Sequence, residues 1–409
     1  MDRILKDLRD RPITIVIFFL LIIIVVAFLI DRAFFASRRK KSEFPCYNQK
    51  LVIWSPIPFQ EFRKAIKSVN KYCLTVNVEK KSLEEIKETL LLETAAGRGP
   101  DIVYVDNEFA FNNLKIFDEY KNKKLTIDNY PEIIFKPLNN KFNLYPLTFD
   151  TLVLFVNNRY LANAGLYEPP KTFEEIEQAI PQLRQANFNY LELAPIALGK
   201  SNIDNFVEIF LVINKNLNQE SEKNSSAFEK TFDYLTQFTN PYSNLYSWDD
   251  NLPNALLAFA QERLIMLPAF YSQKKKIIDS NSRLEFSVAG FPKFSQSLKK
   301  YNYLKVYYLG VIKNKKSKYS WLFLEEFDKI YPEFAKRNNL IPLRKDLFND
   351  LDKESKIVIN EMLIGDYFTN INYDELNNAL PKYFDSWLTN KDNLKNILRR
   401  TDIFKFFKK

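Results

Sequence analysis

Side chains able to do chemistry stand out in this 409-residue sequence where polar groups end or interrupt apolar runs. Trp54 and Ser55 close the run that begins at Leu51, and Asp106, Asn107 and Glu108 follow Ile102–Val105. Asp150 lies just ahead of the run Leu152–Val156, where a charge needs a partner that a ligand or a hydrogen bond would supply. Paired carboxylates at a cleft can serve as the acid and base of a glycosidase, yet nothing around these matches a hydrolase motif. A plainer reading stands beside each: Trp54 as core, Asp106 and Glu108 as caps of the helix that starts near them.

The rest of the catalytic repertoire is thin. The chain has no histidine, two cysteines and seven scattered glycines. Zinc sites, Ser-His-Asp triads and Cys-His pairs lack their residues, and the glycine spacing excludes the common phosphate-cradling loops. No cofactor, no metal and no enzymatic activity are expected. A formal charge of +9 raises the question of nucleic acid, but the 59 basic residues are interleaved with 50 acidic ones and no reader module accompanies them. No nucleic-acid partner is expected.

Strands and helices alternate in the elements that must position the candidates. Leu51–Trp54 reads as a strand, 59–72 as a helix, Leu74–Val78 as a strand, 83–94 as a helix and Ile102–Val105 as a third strand. This order predicts a parallel sheet with ligands at the carboxyl ends of its strands. Leu152–Val156 is a further strand, and Thr172 is an N-cap with Glu174 and Glu175 in the first turn. Short strands return at 194–197, 264–267, 286–288 and 306–312, as expected if a second α/β lobe is inserted between pieces of the first.

Ahead of all this, residues 13–30 read ITIVIFFLLIIIVVAFLI. About 18 to 20 such residues cover most of a ~30 Å hydrocarbon core, which predicts a transmembrane anchor over 13–30 in contact with lipid, after a short cytoplasmic tail, 1–12. A cleaved signal peptide is the competing reading. The basic cluster Arg38–Lys41 falls in the following linker, 31–48, beside the membrane.

Several blocks, in order, resemble family 1 extracellular solute-binding proteins, which include the maltose- and other sugar-binding receptors of ABC importers. They are the strand 51–54, the turn Gly99-Pro100-Asp101 entering 102–105, and the segment 114–120. Most specific is Tyr145-Pro146 leading through 152–156 to Asn157-Asn158, then Gly165-Leu166 and Pro169-Pro170-Lys171-Thr172-Phe173-Glu174-Glu175. Weaker matches are Ala258-Phe259, Ile265-Met266, Phe291-Pro292, Tyr308–Val311 and Asn339–Arg344. Phe173 and Val156 stand where the family usually has Trp and Tyr, which leaves the fold intact and the ligand open.

The resemblance implies a type II periplasmic-binding-protein-like α/β fold with a hinge between two lobes, 49–148 plus 291–330 and 149–290 plus 331–409. Its hinges fall near 147–150, 290–291 and 330. It implies an extracytoplasmic domain on a single-pass anchor that captures a small solute, a sugar or oligosaccharide, for an ABC transporter permease. Sugars are held by carboxylates, amides and aromatic faces. Ser201, Asn202, Phe270 and Tyr271 of the second lobe, with Tyr307 and Tyr308 on the returning strand, therefore join Trp54, Ser55, Asp106, Asn107, Glu108 and Asp150. One of Tyr307 and Tyr308 must be packing if that strand alternates. A sensor acting through a partner membrane protein and a carbohydrate-active enzyme are the rival readings. Cys46 and Cys73 fall at the amino-terminal edge of neighbouring parallel strands, within reach of a disulfide; the alternative is a buried Cys73 and a free Cys46.

Overall fold

The computed structural model describes residues 20–28, 30, 44–187, 190–219, 225–368 and 371–390. Its first lobe is built as the apolar runs require. Strands β1 (Gln49–Ser55), β2 (Leu74–Lys80) and β3 (Ile102–Asp106) are parallel, with β1 central. Between them run helices α1 (Phe59–Val69) and α2 (Leu83–Ala95). Helix α1 buries Phe62, Ala65 and Val69, a spacing that forms one stripe. Ser82 and Glu85 start α2 with a reciprocal capping box. Asp106 accepts a hydrogen bond from the Phe109 N–H and so caps α3 (Asn107–Asn112).

Two long strands carry the chain between lobes. Strand β4 (Leu144–Asn157) is buried throughout its 14 residues. Its first half pairs with β9 (Asn302–Val311), and its second half lies between β7 (Leu264–Phe270) and β8 (Phe286–Gly290). Read from sequence, only 152–156 looked like strand, because Pro146, Thr148 and Asp150 break the apolar run. The proline is accommodated where the register with β9 shifts between Pro146 and Thr148. Gly310 is required in β9: a Cβ there would stand 2.4 Å from the Phe117 ring.

The second lobe continues the sheet through β7 to β6 (Tyr190–Ile196) and β5 (Gln185–Asn187). Thr172 and Glu175 form a capping box at the start of α4 (Phe173–Leu183), as the residue pattern predicts. Helices α5 (Phe206–Asn218) and α6 (Ser225–Thr236) pack through Phe210, Phe228 and Phe232. The 21-residue helix α7 (Ser317–Arg337) returns to the first lobe, where Phe327 and Phe334 meet Phe62. Helices α8 (Lys353–Leu363) and α9 (Tyr373–Thr389) close the second lobe, with Phe384 against Phe206 and Phe232.

Two boundaries differ from the sequence reading. Residues 291–301, assigned there to the first lobe, contact second-lobe elements: Phe294 stacks on Phe173, Lys293 pairs with Glu361 at 2.7 Å, and the Tyr301 N–H donates to Asn216. The chain crosses inside β9 instead. Helix α7 also stays on the first lobe to its last turn, where Arg337 binds Glu61, and Leu343 and Arg344 still bond to its Tyr331 and Asp328, so the third crossing follows residue 344 rather than 330.

A disulfide joins Cys46 to Cys73, whose Cα atoms are 4.9 Å apart. It lies beside the first residue pair of the β1–β2 ladder, Gln49 opposite Leu74. Residues 20–28 and 30 are helical and exposed, and among the described residues no helix is long and apolar enough to cross a membrane. The tail, the rest of 13–30 and most of the linker lie outside the described residues.

Candidate functional site

The carboxyl ends of the first-lobe strands meet the crossing strands and the second lobe in one polar cluster. Asp106 is fully buried, with Oδ2 2.7 Å from Lys87 Nζ and 3.8 Å from Lys305 Nζ. Burial pulls the Lys87 ammonium down, but Asp106 and Glu108 together hold it above its ordinary value. Lys305 stands opposite Asp150 in the β4–β9 register. Asp150 Oδ1 accepts the backbone N–H of Thr151 at 3.0 Å and of Ser272 at 3.1 Å, the latter from the segment after β7. Burial pushes its carboxyl up to about 6 in spite of those donors and Lys305.

Aromatic faces line the same place. Tyr104 and Tyr307 stack at 5.5 Å between ring centroids. Burial, then Asp150 and Asp106, raise the Tyr307 phenol, so both tyrosines stay neutral hydroxyl donors and acceptors. From the second lobe Glu208, half-buried in the first turn of α5, is raised by burial and by Glu108 across the cleft, with Lys305 opposing. Tyr271 donates to Glu354 at 2.7 Å, and Lys274 binds the same carboxylate.

The candidates named from sequence separate into two groups. Asp106, Glu108, Asp150, Tyr271 and Tyr307 belong to this cluster or its rim, and Asn107 supports it by accepting the Val306 N–H. Tyr308 is core, fully buried against Phe111; strand alternation sends it to the opposite face from Tyr307. Phe270 is buried edge-on to Tyr303. Trp54 is buried too, with its indole N–H on Glu79 and Lys81 over its ring. Ser55 turns its hydroxyl to the Ile57 N–H. Ser201 donates to Asp385 of α9, Asn202 is exposed, and no described contact ties either to the cluster.

Lys87, Tyr104, Glu208, Ser272 and Lys305 were missed from sequence. Glu208 carried a signal, since it is the single charge in the apolar run 206–213, the same cue that marks Asp150. Among the described residues no group of three or more carboxylates or thiols could hold a metal ion. The crevice between Asn107, Glu108 and Phe111 on one side and Tyr303, Tyr367 and Phe368 on the other encloses about 20 Å³. That volume admits one water at most. A larger hollow of about 330 Å³ lies elsewhere, on the second lobe between Leu166, Pro170 and Gln178.

A two-lobed α/β architecture, crossed by paired strands with polar groups gathered at the crossing, defines a solute-binding protein fold. The sequence model for bacterial extracellular solute-binding proteins matches residues 59–326, and the chain belongs to that family, whose members bind solutes rather than transform them. The fold is shared with a solute-binding protein of an ABC transporter from Thermotoga lettingae, solved with α-D-tagatose. The two are 16% identical over 88% of this chain and 99% of that one, with a TM-score of 0.65. A cyclo/maltodextrin-binding protein with maltotetraose is 14% identical over 87% and 96%, at 0.70. A substrate-binding protein from Listeria monocytogenes with cycloalternan is 14% identical over 87% and 98%, at 0.64. No curated protein sequence matches.

Proposed function

We propose that this protein is an extracytoplasmic receptor that closes its lobes on a neutral, hydroxyl-rich solute, a sugar or oligosaccharide, and delivers it to an ABC transporter permease. The observation that carries the reading is the cluster itself. Asp106, Asp150 and Glu208 offer acceptors from both lobes, Lys87 and Lys305 balance part of their charge, and Tyr104 and Tyr307 present stacked rings. Carboxylates that accept from hydroxyls, beside aromatic faces for C–H patches, suit a sugar better than an ion. The three structural neighbours described above hold sugars, which supports the class of ligand.

The lobes part about the Asp150–Lys305 crossing and the segment between Arg344, which still pairs with Asp328, and the start of α8, and the apolar run 13–30 anchors the receptor in the membrane. The Cys46–Cys73 bridge accords with an oxidising compartment. A thermal-shift screen of the protein against mono- and oligosaccharides, amino acids and peptides tests the ligand class. At 100 times its dissociation constant a ligand adds about 2.7 kcal/mol. Stabilisation by amino acids or peptides alone would overturn the sugar reading.

A further inference from the structure

One buried face of α7 holds two of the three crossings at once. In β4, Pro146 lies opposite Tyr308 and Thr148 opposite Tyr307, so Leu147 is the extra residue of a bulge. Its carbonyl accepts the Tyr331 hydroxyl at 2.6 Å, and that hydroxyl in turn accepts the Leu343 N–H at 3.3 Å. One turn earlier in α7, Asp328 takes the Tyr145 hydroxyl at 2.7 Å on one carboxylate oxygen and the Arg344 guanidinium at 3.3 Å on the other. Thr148 adds a direct link, donating to the Ile341 carbonyl at 3.3 Å. Tyr145, Leu147, Tyr331 and Leu343 are fully buried. A proline prepares the Asp328 end. Pro332 stands inside α7 and has no N–H, so the Asp328 carbonyl lacks the helical donor that residue 332 would give, and Arg344 donates to it at 3.0 Å instead.

We propose that Asp328, Tyr331 and Pro332 are positioning residues of the hinge: α7 clamps β4 and the segment 341–344 to each other, so that these two crossings pivot together. Their place along the chain carries the argument. Asp150, at the β4 crossing, lies three residues beyond Leu147, and the third crossing begins after Arg344. The clamp therefore grips the last first-lobe residues on both paths, and what is held immediately before a hinge fixes where the backbone must turn. Its bonds lie inside the core, where losing one member leaves the other buried and unpaired. Packing alone does not account for the arrangement, because a phenylalanine would fill the place of Tyr331 and an alanine at 332 would keep the helix regular. The same clamp fixes the start of the strand that carries Asp150 into the polar cluster, so site and hinge share one support. The inference rests on the lobe closure proposed above and says what sets its axes.

Hydrogen exchange of the unliganded full-length chain, read by mass spectrometry, tests the coupling. Tyr331→Phe keeps the ring and removes the one hydroxyl that both paths share. It is expected to speed exchange about tenfold in peptides over both 147–151 and 341–347, with 49–55 and 74–80 of the same lobe unchanged. Pro332→Ala, which gives the Asp328 carbonyl a helical donor in place of Arg344, is expected to speed exchange over 341–347 while α7 stays protected. Spin labels at Lys67→Cys in α1 and Lys230→Cys in α6, one exposed position on each lobe, report the lobe separation. Adding Tyr331→Phe should broaden that distance distribution in the unliganded protein, which a purely structural role would not do. Faster exchange over 341–347 alone, an equal rise throughout the first lobe, or an unchanged distance distribution overturns the proposal. Shortening of the parent distance by maltotetraose or α-D-tagatose reports the receptor reading separately, since the exchange is measured without a solute.

Discussion

Asp150→Asn should make the unliganded protein more stable at neutral pH. The carboxyl is buried and sits at about 6, against an ordinary value of 3.8. The folded state therefore holds a proton that the unfolded chain releases, so the contribution of this group to stability falls as pH rises from 3.8 and is flat above about 6. The gap of roughly two pH units, at 1.36 kcal/mol each, is about 3 kcal/mol. Asparagine keeps an oxygen for the Thr151 and Ser272 N–H groups, but its own N–H groups need acceptors in a buried place, which offsets part of the gain. Urea denaturation of both proteins between pH 4 and 8 should show a difference near zero at the acid end that grows to about 1 to 3 kcal/mol above pH 6.5. A difference independent of pH, or a variant less stable than the parent at pH 7.5, would refute the reasoning.

Three further outcomes are expected. Tyr307→Ala removes one face of the Tyr104 stack and should weaken sugar binding by at least about tenfold in calorimetric titration, with the urea midpoint little changed. Lys293→Met strands Glu361 in the second-lobe interior, where the pair lies at 2.7 Å, and should cost about 3 to 5 kcal/mol in denaturant unfolding, whereas replacing both residues by apolar ones should cost much less. Replacing Cys46 and Cys73 by serine together opens a loop whose ends are 27 apart in sequence and should cost about 3.5 kcal/mol in the chain-entropy model, read as a lowered melting temperature in non-reducing buffer.

The first lobe was largely legible because its runs are uninterrupted and its caps are chemical signatures. Leu51–Trp54 and Ile102–Val105 appear where the residue types place them, and so, in the second lobe, does the Thr172–Glu175 cap. The crossings were less legible. Strand β4 mixes Pro146, Thr148, Asp150 and Thr151 into a buried segment, and those residues are tolerated only because partners from β9, the Ser272 loop and Ile341 meet them. Such partners come from remote parts of the chain and leave no local pattern. The same limit explains the site: Asp150 could be found as a lone charge among apolar neighbours, but Lys87 and Lys305 look like ordinary surface lysines until the fold brings both to Asp106. Trp54, Phe270 and Tyr308 end or line apolar strands, and an aromatic there serves the core as readily as a ligand.

The bridge at the edge of β1 also has a mechanical meaning. A load on the chain ahead of Cys46 reaches the lobe through two strands at once, since the disulfide passes part of it to Cys73 and so to β2. Strand β1 lies between β2 and β3, parallel to both. Force along its axis therefore acts in shear on ladders that must give way together, instead of peeling one hydrogen bond after another from an outer strand. A body held at this corner can swing and be tugged without its sheet being unzipped.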